Sequence, residues 1–264
     1  MSPDLMFWLA LATKMAITAL FVSVATIIAE RLGAAVGALV ATLPVSAGPV
    51  YVFLALDHDA AFISASAVAS LALNAATAVF VTAYVLMAQR RSLWISVSLA
   101  FAVWLAATLA LVPVHWTAAL AFVLNLIVFA LCLWIVRPFC QVPMPPTIRP
   151  WYDLLVRAGM VTLLVGAVVT LSFRIGPLGS GVLAVFPVIY TSIMVILHLR
   201  VGGPATAAVL ANAVPGLAGF GAALLTLHLT AVPLGSALAL IVALGVSVAW
   251  NAGLYAARHR ESFA

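Results

Sequence analysis

Long apolar runs separated by short polar breaks organise the whole chain. They cover residues 5–29, 33–56, 60–88, 93–112, 116–136, 154–173, 177–199, 204–227 and 232–257. Each run is close to the roughly 20 residues an α-helix needs to cross the hydrocarbon core of a bilayer. The pattern therefore predicts nine membrane-spanning helices. Residues 93–136, interrupted at Pro113-Val114-His115, are too long for one crossing and read as two. The first run does not read as a cleavable signal peptide: it carries Asp4 where a positive segment belongs, and it is too long for a signal core.

Composition excludes the other classes. The chain is 67% apolar and 6% charged, with a mean hydropathy of +1.30, whereas a soluble domain is about a quarter charged. Disorder needs low hydrophobicity and high charge, and two cysteines make no disulfide scaffold. Nine spans in 264 residues leave no room for a soluble domain.

The net charge of +5 marks orientation rather than a nucleic-acid partner, because no basic stripe is interleaved with aromatic residues. Across nine spans, Arg31, Arg90, Arg91, Arg137, Arg149, Arg157, Arg200, Arg258 and Arg260 fall on one side. Only Arg174 falls on the other, with Asp4, Asp57 and Asp59. The basic side is predicted to be cytoplasmic, with the N-terminus outside and the C-terminus inside. Trp8, Trp94, Trp116, Trp134, Trp151 and Trp250 lie near span ends, where interfacial belts form.

The two halves resemble each other. Sliding the chain by 143 residues sets Lys14 on Arg157, Arg31 on Arg174, Gly33 on Gly176, Ala41 on Ala184 and Pro44 on Pro187, and a shift of 138 sets Asn74 on Asn212. Five spans separate the starts of the repeats, so the copies have opposite orientation, and Arg174 becomes the mate of a cytoplasmic arginine. The predicted architecture is all-α and 4+1+4: a first four-helix repeat over 5–112, a linking helix over 116–136, a cytoplasmic Pro-rich loop over 137–153 and an inverted repeat over 154–257. Inverted repeats are typical of secondary transporters.

Each half carries a basic residue, then an apolar approach to a Leu-Pro or Phe-Pro step: Lys14 … Gly37-Ala38-Leu39-Val40-Ala41-Thr42-Leu43-Pro44-Val45, and Arg157 … Gly181-Val182-Leu183-Ala184-Val185-Phe186-Pro187-Val188 … Gly202-Gly203. This pattern resembles the short GlpM-type bacterial inner-membrane proteins, each half corresponding to most of one such protein. The resemblance implies a multi-pass protein of the bacterial inner membrane and names no substrate. The chain departs from it in the linking span, whose place antiparallel dimerisation would take in a single-repeat protein.

Polar groups within spans are costly and so are functional candidates. Lys14 and Arg157 offer positive charge to an anionic small molecule or a lipid phosphate; no acid lies inside the runs to pair with Lys14, while Asp153 is a local partner for Arg157 at i−4. The competing expectation is that both snorkel to opposite interfaces. Pro44 and Pro187 break spans 2 and 7 at equivalent positions, with Ser46, Tyr190 and Thr191 nearby to satisfy freed backbone groups. Asn74 and Asn212 occupy equivalent third spans, whereas Asn125 and Asn251 read as helix-bridging amides.

Asp57-His58-Asp59 reads as a solvated external turn, and His115, His198, His228 and His259 as interfacial. Cys132 and Cys140 lack CxxC spacing. No hydrolase, metalloprotease or phosphate-loop motif is present, so neither an enzyme nor a cofactor is expected. The sequence points to a small secondary transporter or facilitator for an anionic or lipid-phosphate substrate. The alternative is a non-transporting accessory or scaffold subunit of an envelope-biosynthesis complex.

Overall fold

The computed structural model describes residues 3–31, 46–142 and 152–261. Pro44, the first part of span 2, and the loop around Pro143-Met144-Pro145-Pro146 lie outside the described residues. Among the described residues there are nine α-helices: α1 (Pro3–Arg31), α2 (Ala47–Asp57), α3 (Ala60–Met87), α4 (Leu93–Leu111), α5 (Ala118–Val136), α6 (Tyr152–Ala184), α7 (Val188–Val201), α8 (Gly203–Leu234) and α9 (Ser236–Glu261). A 3-10 turn, Arg137–Phe139, closes α5. Among the described residues there is no strand, and seven helical segments are long and apolar enough to cross a membrane. The chain is an all-α polytopic membrane protein.

Local signals set the helix ends. Asp59 caps α3 by accepting a 2.8 Å bond from Phe62 N–H, and Thr117 caps α5 through Leu120 N–H. Spans 6 and 7 meet differently from expectation. Helix α6 runs on past residue 173, turns at Gly176 (φ 67°, ψ −171°), and continues from Pro177 to Ala184. Only glycine holds that backbone cheaply, and the following proline cannot donate the bond that would continue the preceding helix. A second interruption at Val185–Pro187 separates α6 from α7. Gly202 (φ 84°) makes the sharp join from α7 to α8.

Helices α3 and α8 form the central pair. Helix α3 also packs on α4, α5 and α6, while α8 packs on α5, α7 and α9. Around them α1 lies on α6, α2 touches α6 and α9, and α4 touches α7. Phe80, Tyr84, Ile63 and Leu71 of α3 are fully buried. An aromatic run from Phe80 through Phe101 to Phe186 and Trp104 fills the space between α3, α4 and the α6–α7 break, with centroids 5.0–5.9 Å apart. Trp8, Trp94 and Trp134 stay exposed near helix ends.

Candidate functional site

The broken segment between α6 and α7 is held by hydroxyls from α3. Ser70 Oγ donates to the Gly181 carbonyl at 2.7 Å, and Thr77 Oγ1 donates to the Val185 carbonyl at 3.2 Å. Because a serine hydroxyl has one proton, the 2.7 Å contact between Tyr51 and Ser70 is donated by Tyr51. A chain Tyr51–Ser70–Gly181 thus ties α2, α3 and α6. On the α7 side, Thr191 Oγ1 turns back to the Pro187 carbonyl at 2.7 Å, and Tyr190 packs half-buried against the core. Beside the break, Trp104 Nε1, Ser180 Oγ and Ser66 Oγ are buried with no hydrogen-bond partner.

The asparagines hold different ground. Asn74 Nδ2 donates to Asn125 Oδ1 and to the Leu217 carbonyl, both at 3.1 Å, while Asn125 Nδ2 donates to the Leu71 and Ala121 carbonyls. The amide pair welds α3, α5 and α8 at the centre. Asn212 instead bonds the Cys140 and Ala208 carbonyls at 2.9 Å, joining α8 to the end of the α5 turn. Asn74 and Asn212 are therefore not gathered into one set of contacts. Ser46 sits half-buried just before α2 without a side-chain capping bond.

Charge pairing departs from expectation at three points. Lys14 has an acidic partner: Nζ lies 2.5 Å from Asp57 Oδ1 and 2.6 Å from Oδ2. The absence of acids inside the apolar runs misleads because Asp57 stands at the last residue of α2, across the helix interface. Asp153 receives both terminal guanidinium nitrogens of Arg200, from 47 residues away, in a forked pairing that the sequence did not show. The Asp57-His58-Asp59 turn is not a loose solvated loop: His58 Nε2 lies 2.9 Å from Ser172 Oγ and its ring stacks on Phe62 at 3.8 Å. Burial pushes the His58 imidazole below its ordinary range, while Asp57 and Asp59 pull it up and Lys14 pushes it down.

Both ion pairs are partly shielded, with side chains 17–18% exposed, and each cation also lies over a ring: Lys14 over Phe53 at 5.9 Å, Arg200 over Tyr152 at 5.5 Å. The two ends are distinct places. Met15 lies beside Gly166, and His58 bonds Ser172, whereas Arg157 is nine residues or more nearer the start of α6, about 13 Å along the helix. Lys14 and Arg157 do not share a pocket.

No family model, curated protein or solved structure matches this chain.

A groove of about 380 Å³ opens between α1, α2, α8 and α9. Its floor is Thr18, Tyr51, Phe53, Leu224 and Leu227, all buried, and its rims are the exposed Ile17, Phe21, Val52 and Ile241. The Thr18 hydroxyl is spent on the Lys14 carbonyl and Tyr51 on Ser70, so the wall is apolar. None of the described predicted site residues lines it; Lys14 stands one turn before Ile17, and Ser46 directly precedes Ala47. Sequence reasoning missed this groove and the Tyr51–Ser70 link. The available signal was the polar stripe Ser66, Ser70, Asn74 and Thr77 on one face of α3.

Proposed function

We propose that the chain is a small secondary transporter or facilitator for a lipid-phosphate substrate, built as nine crossings in an inverted 4+1+4 arrangement. Tyr152–Val201 is 50 residues, about 75 Å of helix against a core of about 30 Å, so it reads as two crossings turning at Gly176. With the apolar run 33–56 counted from the sequence as a further crossing, the seven segments become nine. Orientation rests on the arginine asymmetry, which puts the N-terminus outside and the C-terminus in the cytoplasm of a bacterial inner membrane.

The observation that carries this reading is the correspondence of the two ion pairs. The 143-residue shift that sets Lys14 on Arg157 also sets Asp57 on Arg200. In each half, the first helix is tied to the far end of the second by a salt bridge of reversed polarity; Asp57 and Arg200 coincide under the shift, while the second half's acid, Asp153, stands one turn before Arg157 and falls on Ala10. In an inverted repeat these two ties stand at opposite membrane faces. The packing pattern supports the same axis: α3 pairs with α8, α1 with α6, α2–α9 mirrors α7–α4, and the linking helix α5 touches both α3 and α8. A tie at each face, one of which must open while the other holds, suits alternating access. The orphaned polar atoms of Trp104, Ser180 and Ser66 beside the break are groups that a second conformation or a passing polar molecule would satisfy.

A free small anion is the weaker substrate, because Lys14 is already neutralised by Asp57. The clamped backbone at Gly181 and Val185 favours the scaffold alternative, in which the break is only a packed corner. Reporter thiols separate the two. In a background carrying Cys132→Ser and Cys140→Ser, Thr18→Cys and Val161→Cys, which are mates under the shift, are probed with impermeant maleimides from each side of vesicles. Asp57→Asn should raise labelling at position 18 from outside and lower it at position 161 from inside, and Asp153→Asn should do the reverse. A scaffold gives no reciprocal change.

A further inference from the structure

We infer that the groove between α1, α2, α8 and α9 is a binding site for a zwitterionic phospholipid with a primary ammonium head, its acyl chain on the groove floor and its head at the Lys14–Asp57 pair. As the identity of a transported substrate the inference rests on the transporter reading above; as a binding site it stands separately. Three observations carry it.

The first is continuity. Ile17 and Thr18 line the groove one turn after Lys14, and Phe53 lines it one turn before Asp57. Residues three and four apart on a helix share a face, so both helices deliver their charge to the same end of the same groove. The Phe53 ring, which forms part of the floor, lies under Lys14 Nζ.

The second is depth. Asp57 ends α2 and is followed by the polar turn into α3, so the pair sits where a helix leaves the apolar core. The groove runs from there along Ile17 to Phe21 and back along Phe53 to Ala47. An occupant held this way has a polar group at the interface and an apolar body below it, which is the shape of a membrane lipid.

The third is charge complementarity. The groove wall has no charged residue, and its volume lies within the range of small-molecule sites. At its end stands the Lys14–Asp57 pair. A purely anionic head that drew Lys14 away would leave Asp57 unmatched. A head with adjacent phosphate and ammonium exchanges one ion pair for two, phosphate to Lys14 and ammonium to Asp57, without leaving either charge unmatched. An unpaired, partly buried charge is what such a site must avoid.

The test uses the full chain purified in a maltoside detergent. Photoactivatable phosphatidylethanolamine, phosphatidylglycerol and diacylglycerol with identical chains are added one at a time, and labelled peptides are identified by mass spectrometry. The expected result is labelling of residues 14–21, 47–53 and 240–244, with phosphatidylethanolamine exceeding the other two by about fivefold, a difference of about 1 kcal/mol. The double variant Lys14→Met with Asp57→Leu, an apolar exchange of the kind buried pairs often tolerate, should level the three lipids while keeping the fold. Ala243→Trp should remove groove labelling. Equal labelling by all three lipids in the unmodified chain marks a boundary lipid only and overturns the proposal, as does a preference for phosphatidylglycerol. If the preference is found but the reporter thiols show no reciprocal change, the site stands and the transport reading falls.

Discussion

Ser70 donates a 2.7 Å hydrogen bond to the carbonyl of Gly181, a residue 111 positions away. The bond forms because the two backbones nearly touch: a Cβ built on Gly181 would lie 2.4 Å from the Ser66 carbonyl and 2.8 Å from Ala69 Cβ. Gly181→Ala should therefore force α6 off α3 and cost about 1–3 kcal/mol, the usual range for overpacking. Ser70→Ala removes only the hydroxyl and should cost about 0.5–2 kcal/mol. Unfolding of the purified chain in detergent, followed by circular dichroism, ranks the two. An alanine at 181 as stable as the parent would refute the close approach.

The Asn74–Asn125 pair gives a second test. Asn125→Leu removes the acceptor of an Asn74 donor and strips the Leu71 carbonyl of its 2.6 Å bond. A loss of about 1–2 kcal/mol is expected from interhelical amides in membranes. Asn125→Gln should not rescue it, since the longer side chain cannot reach both α3 and its own Ala121 carbonyl. Thermal melting of the three proteins side by side reads this directly.

His58 makes stability depend on pH. Its folded-state value lies below the ordinary 6.5, so the unfolded chain takes up the proton first. Stability is then complete above about pH 6.5 and declines as the pH falls from there toward the folded-state value. His58→Gln keeps a group able to bond Ser172 but does not titrate. Melting temperatures between pH 5 and 8 should slope for the parent and flatten for the variant.

Arg200 should not tolerate lysine. The guanidinium engages both oxygens of Asp153 and covers Tyr152, a geometry that an ammonium cannot reproduce. In the maleimide assay, Arg200→Lys is expected to behave like Asp153→Asn, opening the cytoplasmic reporter at position 161. Labelling identical to the parent would show that charge alone holds this end.

The sequence made some of this legible and hid the rest for physical reasons. Runs 60–88 and 93–112 match α3 and α4 within a residue, because a span is a matter of local composition. The break at Pro187 was equally visible, since proline acts on its own backbone. Partners were not. Lys14 meets Asp57 across 43 residues and Asp153 meets Arg200 across 47, and only the packing of helices decides such pairs. The groove was invisible for the same reason: Thr18, Phe53, Leu224 and Ala243 are unremarkable apolar-run residues until four helices surround them.

The polar side chains of α3 carry a consequence for biosynthesis. Ser64, Ser70, Asn74 and Thr77 find partners in His228, Gly181, Leu217 and Val185, all made more than a hundred residues later. When α3 leaves the ribosome none of these exists; Ser70 can already meet Tyr51 and Thr77 its own Leu73 carbonyl, but Asn74 and Ser64 must be satisfied by water or the insertion machinery meanwhile. The order of translation thus obliges the first half to wait, incompletely packed, until the second half arrives.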